Sequence, residues 1–191
     1  EVIDRIMTNF KPPKRYAPDI PFPSYSYVPG HSPHPTRDPQ GPRYGEEYED
    51  IVLVPAPDPA EWWQSKLYLY GIDLFNNGYY WETHEAWEDL WHALGRMGET
   101  ATFFKAMIHL AAAGLKAKYG QWDAMRKHAR RSATLLAEIQ VQLPEGQAAY
   151  MGLEVPPLRA WAEAVADGEG MLIPHPEETD GPVFVFYLTP E

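Results

Sequence analysis

The sequence predicts an all-α protein, a compact antiparallel bundle of four to five helices with an extended proline-rich N-terminal arm and a short C-terminal β-like tail. Apolar residues recur at helical spacing in four successive segments between residues 58 and 143, and turns of a few residues join the segments. Thirteen of the 20 prolines fall in the first 59 residues, where they fix φ and remove backbone donors. The first part of the chain is therefore not expected to be helical.

The chain of 191 residues suits one domain with appendages. We divide it into an arm over 1–57, a four-helix core over 58–143, and a short helix plus extended tail over 144–191. Asp58 followed by Pro59 is typical of a helix start, and Trp63 begins the first apolar stripe. The core helices are predicted at about 60–77, 79–94, 99–119 and 121–143.

The fifth helix is expected to follow Pro156 and Pro157 and to end at Gly168. Two apolar, β-branched segments, 51–54 and 183–188, are predicted to be short strands. A lone two-stranded ladder is marginal in water, so these segments must pack on the bundle or on another subunit. Seven aromatic residues in this arm indicate that it wraps the core and is not a free linker. They are Phe10, Tyr16, Phe22, Tyr25, Tyr27, Tyr44 and Tyr48.

Composition narrows the possible functions. The formal net charge is 16 − 27 = −11, which makes nucleic acid a poor partner because phosphates would be repelled. There is no cysteine, which excludes disulfides and thiolate zinc sites. No apolar run is long enough for a membrane span, and no signal-peptide pattern is present, so a cytoplasmic location is expected. Met7 is an alternative start of the native chain.

The second helix carries the residues with the clearest chemical potential. His84 and Glu88 are one turn apart, with Trp87 and Trp91 nearby on the same helix. An imidazole and a carboxylate in reach of each other suit proton transfer, with Glu88 as base and His84 as proton carrier or ligand. The alternative is a structural plug, in which the two side chains satisfy each other inside the bundle.

A divalent metal is a second possibility for this cluster. His84 and Glu88 would be two ligands and His109 of the third helix a third. Two familiar metal motifs are excluded: position 88 is Glu where the zincin motif needs His, and the chain has no Glu followed three residues later by His, as a di-iron site requires.

Two further groups are weighed as sites. His31 and His34 lie three apart in a proline-stiffened turn of the arm, which suits a metal clamp or a simple surface turn. The fourth helix carries a basic group that fits a solvated face better than a phosphate site, given the acidic total. It consists of Arg126, Lys127, Arg130 and Arg131.

The stretch from Tyr70 to Trp91 includes Leu-Phe-Asn-Asn-Gly-Tyr-Tyr-Trp-Glu-Thr-His-Glu. It resembles the hallmark of the family called domain of unknown function three hundred and nine, a small all-helical group in bacteria and archaea. Residues 108–113 resemble that family's Ile-Gln-Leu-Ala-Ala segment, with His109 in place of the usual Gln. The resemblance covers roughly residues 65–140 and implies a helical bundle, but no activity.

Two functional hypotheses follow. The first is a pocket for a metal or small molecule between the first three helices, with acid–base or hydrolytic chemistry. It would be lined by Asn76, His84, Glu85, Trp87, Glu88, Trp91 and His109. The second is a non-catalytic module that binds a peptide or partner helix, with a structural His/Glu cluster. The many aromatic rings and the unpartnered strands also predict a homodimer.

Overall fold

The computed structural model describes residues 13–45, 54–171 and 181–191. Within these residues it has five α-helices, preceded by a 3-10 helix at Pro59–Gln64. Two very short antiparallel strands pair Ala149 with Glu154 and Tyr150 with Leu153. The elements are α1 (Lys66–Asn76), α2 (Tyr80–Ala93), α3 (Glu99–Lys118), α4 (Trp122–Gln142), β1 (Ala149–Tyr150), β2 (Leu153–Glu154) and α5 (Val155–Asp167).

Each helix packs against its neighbour in sequence, from α1 on α2 to α4 on α5. The short turns between helices force this arrangement, and the predicted all-α bundle is confirmed. The core is centred on α3, where Phe103, Phe104, Met107 and Leu110 are fully buried. No helix in the described part of the chain is both long and apolar enough to cross a bilayer.

The prediction of one continuous first helix over 60–77 is wrong, because two caps divide it at Ser65. Asp58 accepts a hydrogen bond from the Ala60 N–H at 2.8 Å and starts the 3-10 helix. The Ser65 hydroxyl then accepts from the Tyr68 N–H at 3.4 Å and starts α1. The break takes Trp63 off the predicted apolar stripe and leaves it 55% exposed.

Two glycines let α2 approach its neighbours closely. A Cβ on Gly71 of α1 would lie 2.0 Å from the indole nitrogen of Trp87, and one on Gly114 of α3 would lie 2.7 Å from the Tyr80 ring. Trp87 is fully buried, and its N–H donates to the Tyr68 carbonyl at 3.4 Å. Tyr80 and Trp87 of α2 therefore each fill a notch in an adjacent helix.

The predicted strand over 183–188 is wrong as a regular strand, since only Phe184 forms a β-bridge, with Met171. The backbone of the tail finds some of its hydrogen-bond partners in other loops, as where the Val185 N–H donates to the Gly170 carbonyl at 3.1 Å, and others in side chains. The Asn76 amide donates to the Leu188 carbonyl and accepts from the Leu188 N–H, both at 2.8 Å. The Tyr80 hydroxyl accepts from the Val183 N–H at 2.9 Å. Of the other predicted strand, residues 51–53 lie outside the described residues and Val54 is irregular.

Rings anchor the tail as well. Phe184 stacks on Phe75 of α1 with centroids 5.6 Å apart, and Phe186 stacks on Trp161 of α5 at 4.6 Å. Val183, Phe184, Phe186 and Leu188 are all buried. The tail is thus part of the core.

The arm contacts α1 and α2 through buried polar groups. Asp73 of α1 is 2% exposed, and its carboxylate accepts from the Tyr16 N–H at 2.8 Å and the Ala17 N–H at 2.9 Å. The Arg15 side chain bonds the same carboxylate at 3.2 Å. Tyr44 is 58% exposed. Phe10 and Tyr48, two of the seven predicted docking rings, lie outside the described residues.

We expect Gly71→Ala to lower the free energy of unfolding. Ala gains about 1 kcal/mol of helix propensity over Gly. Overpacking against a buried ring costs about 1–3 kcal/mol, and the rigid Trp87 indole cannot move aside without breaking its hydrogen bond. Urea unfolding monitored by circular dichroism measures the difference. Gly181→Ala is the control because nothing lies within 4 Å of its added Cβ. If Gly71→Ala were as stable as the wild type or more stable, the close packing of Trp87 on Gly71 would not require glycine.

The homodimer stays a prediction. Burial of the tail in its own chain removes one reason for it, because these apolar side chains no longer need a partner. Exposed Trp63 and Trp122 are the rings that a dimer would still cover. Light scattering at micromolar concentration measures the mass: twice 21.8 kDa is expected for the dimer, and 21.8 kDa at all concentrations would contradict it.

Candidate functional site

The candidate site is a cluster of three side chains on one face of α2. The Nδ1 of His84 lies 3.4 Å from a carboxylate oxygen of Glu85 and 3.7 Å from one of Glu88. The imidazole is 31% exposed, and each of the two carboxylates is 38% exposed. Because both separations exceed an ordinary hydrogen bond, the ring is near two carboxylates without being locked to either.

Helical geometry explains the cluster. Residues four apart lie on one face, so His84 and Glu88 come together through the regular turn of α2 alone. The packing of Trp87 and Tyr80 against α1 and α3 fixes which face of α2 is buried. One ligand atom from each of His84, Glu85 and Glu88 lies within 4.8 Å of the others, a spacing that permits a shared metal ion.

His109 has a different partner from the one that the sequence suggested. Its Nδ1 lies 3.0 Å from the Nδ1 of His128 on α4, and the ring centroids are 5.3 Å apart. His109 does not belong to the 4.8 Å cluster of α2. Sequence reasoning missed His128. The signal was the hairpin folded at Gly120, which places residues roughly equidistant from the turn opposite each other.

The two imidazoles are held neutral near pH 7. Burial is the largest of the causes that together lower the pKa of His109 to about 4; the charges of His128, Arg131, Lys105 and His84 are the others. Burial also lowers the pKa of His128, with Lys116 and His84 contributing. One ring must donate and the other accept across the 3.0 Å contact, since both are neutral. His84 is thus close enough to influence both rings electrostatically.

Three predicted pocket residues have other surroundings. Both polar atoms of Asn76 bond the backbone of Leu188, so its amide serves the tail. Trp87 belongs to the core and is fully buried. Trp91 packs partly against the core and carries Arg96 at 5.3 Å and Lys105 at 5.9 Å over its ring.

Glu82, one turn before the cluster, joins the arm to α2. One of its carboxylate oxygens accepts from the Tyr27 N–H at 2.7 Å, and the other is buried without a hydrogen-bond partner among the described residues. Burial raises the pKa of Glu82 to about 7; the Tyr27 N–H and Lys118 oppose the rise, and Glu85 adds to it. The sequence pattern contained Glu82 but gave no sign that the arm would bury it.

The arm histidines face different partners. His34 accepts hydrogen bonds at Nδ1 from the backbone N–H groups of Thr36 and Arg37, at 3.3 and 3.2 Å, and its ring packs on Trp81. His31 lies beside Tyr119, with centroids 6.4 Å apart. The engaged Nδ1 of His34 stabilises the turn, and a metal clamp formed by the pair stays a prediction.

The basic group of α4 borders a shallow groove of about 400 Å³ near the end of α5. Arg130 lies 3.6 Å from Asp167 and 3.5 Å from the Ala166 carbonyl. The guanidinium of Arg126 covers Gly168, where an added Cβ would lie 2.7 Å from it. Cations at a helix C-terminus interact favourably with the helix dipole, which accounts for the position of Arg126 and Arg130 at the end of α5.

Fold and cluster together define a small helical-bundle protein with a half-exposed His/carboxylate group on its second helix. Residues 68–128, from α1 into α4, match the model of the family described as Domain of unknown function (DUF309). This match covers 61 of 191 residues and confirms the resemblance over that segment. Comparisons with curated proteins and with solved structures give no match.

Glu82 makes stability depend on pH. Its pKa is about 7 in the folded protein against an ordinary 4.5, so the folded state binds the proton more tightly. The free energy of unfolding should therefore fall as pH rises from about 4.5 to about 7, and the loss is complete above that range. Glu82→Gln avoids burying a charge and should be more stable than wild type at pH 8 by about 1–3 kcal/mol.

At pH 4 the two proteins should differ little, because Glu82 is then protonated in both the folded and the unfolded state of the wild type. Urea unfolding in the presence of a chelator measures both differences. Glu138→Gln on the exposed face of α4 is the control for loss of one negative charge. If Glu82→Gln and the wild type differed in free energy of unfolding by the same amount at pH 4 and at pH 8, the raised pKa of Glu82 would be wrong.

Proposed function

We propose that the protein binds a divalent transition-metal ion through His84, Glu85 and Glu88 and uses it for hydrolytic or acid–base chemistry on a small molecule. The observation that supports this is the convergence of an imidazole nitrogen and two carboxylate oxygens within 4.8 Å. A mixed nitrogen and oxygen ligand set suits zinc and its first-row neighbours.

The exposure of the cluster supports a site that remains open to solvent. With side chains 31–38% exposed, an ion held by three residues would keep positions for water or substrate. Three protein ligands with one open position is the usual arrangement of catalytic zinc, which lowers the pKa of bound water to about 7.

The same measurements count against a structural plug. A plug should be dry and mutually hydrogen-bonded, because a buried polar group without a partner is costly. Here the side chains are half-exposed, and the separations of 3.4 and 3.7 Å are longer than usual hydrogen bonds. A non-catalytic partner-binding module is therefore the outcome that remains if no metal binds.

Metal analysis of protein purified without an affinity tag tests the proposal. We expect close to one equivalent of zinc or a neighbouring metal at the cluster, and Co²⁺ added to the metal-free protein should give the absorption bands of a bound ion. His84→Ala and Glu88→Gln should each weaken binding about tenfold or more. His31→Ala, in the exposed turn of the arm, should bind as the wild type does.

Stability provides a check on these variants. Exposed ion pairs contribute only about 0.2–1 kcal/mol, so both substitutions should leave the free energy of unfolding of the metal-free protein nearly unchanged. A double-mutant cycle of His84→Ala and Glu88→Ala should likewise give a small coupling energy. If all variants fold and bind metal as the wild type does, the cluster is not the site.

A further inference from the structure

The pair formed by His109 and His128 lies on α3 and α4, outside the cluster proposed above. The two Nδ1 atoms are 3.0 Å apart, and both rings are half-buried. Two nitrogens bound to one metal at about 2.0–2.1 Å each are about 2.9–3.4 Å apart, depending on the coordination angle. The separation of this pair falls within that range.

The helices hold the pair rigidly. The Ser132 hydroxyl, one turn beyond His128, donates to the Ala106 carbonyl at 2.8 Å and is fully buried. Buried small side chains, Ala113 and Ala129 among them, bring α3 and α4 close together along this interface. Sites on rigid elements keep their ligand geometry before the ligand arrives, which reduces the cost of binding.

We propose that His109 and His128 form a bis-imidazole site for a borderline transition-metal ion, bound through the two Nδ1 atoms. Neither of its residues belongs to the cluster of His84, Glu85 and Glu88, so the two sites have separate ligands. Both Nδ1 atoms offer a lone pair once the donor ring changes tautomer, so that its single proton moves from Nδ1 to Nε2, and the remaining positions of the ion are open to water or an anionic ligand.

The surroundings determine which probe to use. Lys105 and Arg131 lie near His109, and Lys116 lies near His128, so cation binding is weakened by repulsion. Among divalent first-row ions Cu²⁺ binds nitrogen ligands most strongly. Cu²⁺ is therefore the probe for affinity, and Zn²⁺, which is diamagnetic, is the probe for nuclear magnetic resonance.

The first experiment titrates Cu²⁺ into the full chain and into three variants, followed by electron paramagnetic resonance. The wild type should show a site with two coordinated imidazole nitrogens. His109→Gln and His128→Gln should each weaken that site about tenfold or more, whereas His84→Ala should retain it. Unchanged Cu²⁺ binding in folded His109→Gln and His128→Gln would overturn the proposal and leave the pair as a hydrogen bond between helices.

A second experiment needs no variant. In wild-type protein with ¹⁵N-labelled histidine, Zn²⁺ should shift the Nδ1 resonances of His109 and His128 together. If only His84 responds, the bis-imidazole site is wrong and the proposed function stands. If only the His109 and His128 signals respond, the cluster of α2 is wrong and the bis-imidazole site stands.

Discussion

The wedging of α2 between two glycines is the constraint on which the rest of the structure depends. Trp87 fills the space at Gly71 of α1, and Tyr80 fills the space at Gly114 of α3. Because protein cores are close-packed, these two contacts fix the rotation of α2 about its own axis. That rotation turns His84 and Glu88 toward the surface and aims the Tyr80 hydroxyl at the tail.

The end of α1 adds a second level of organisation. Asp73 and Asn76, three residues apart and both 2% exposed, bind the backbone of the arm and of the tail respectively. Side chains there do what a neighbouring strand does in a sheet, since they give buried N–H and C=O groups their partners. Two segments without regular secondary structure are thereby attached to one helix end.

The sequence was informative where a feature is local. The bounds of α2, α3 and α4 follow from apolar spacing and glycine turns, and the pairing of His84 with Glu88 follows from one helical turn. Features that depend on tertiary contacts were missed. Asn76 meets Leu188 across 112 residues, and His128 meets His109 only in the register of two packed helices.

The buried tail has a consequence for how the protein folds during synthesis. Tyr80 and Val183 are 103 residues apart. The apolar surface that Phe184 and Phe186 cover therefore stays exposed after α1 and α2 have left the ribosome. At roughly 5–20 residues per second, that interval lasts roughly 5–20 seconds. During it the nascent chain exposes Phe75, joined late in the interval by Trp161 of α5, and such apolar surface is open to aggregation until the last apolar segment arrives.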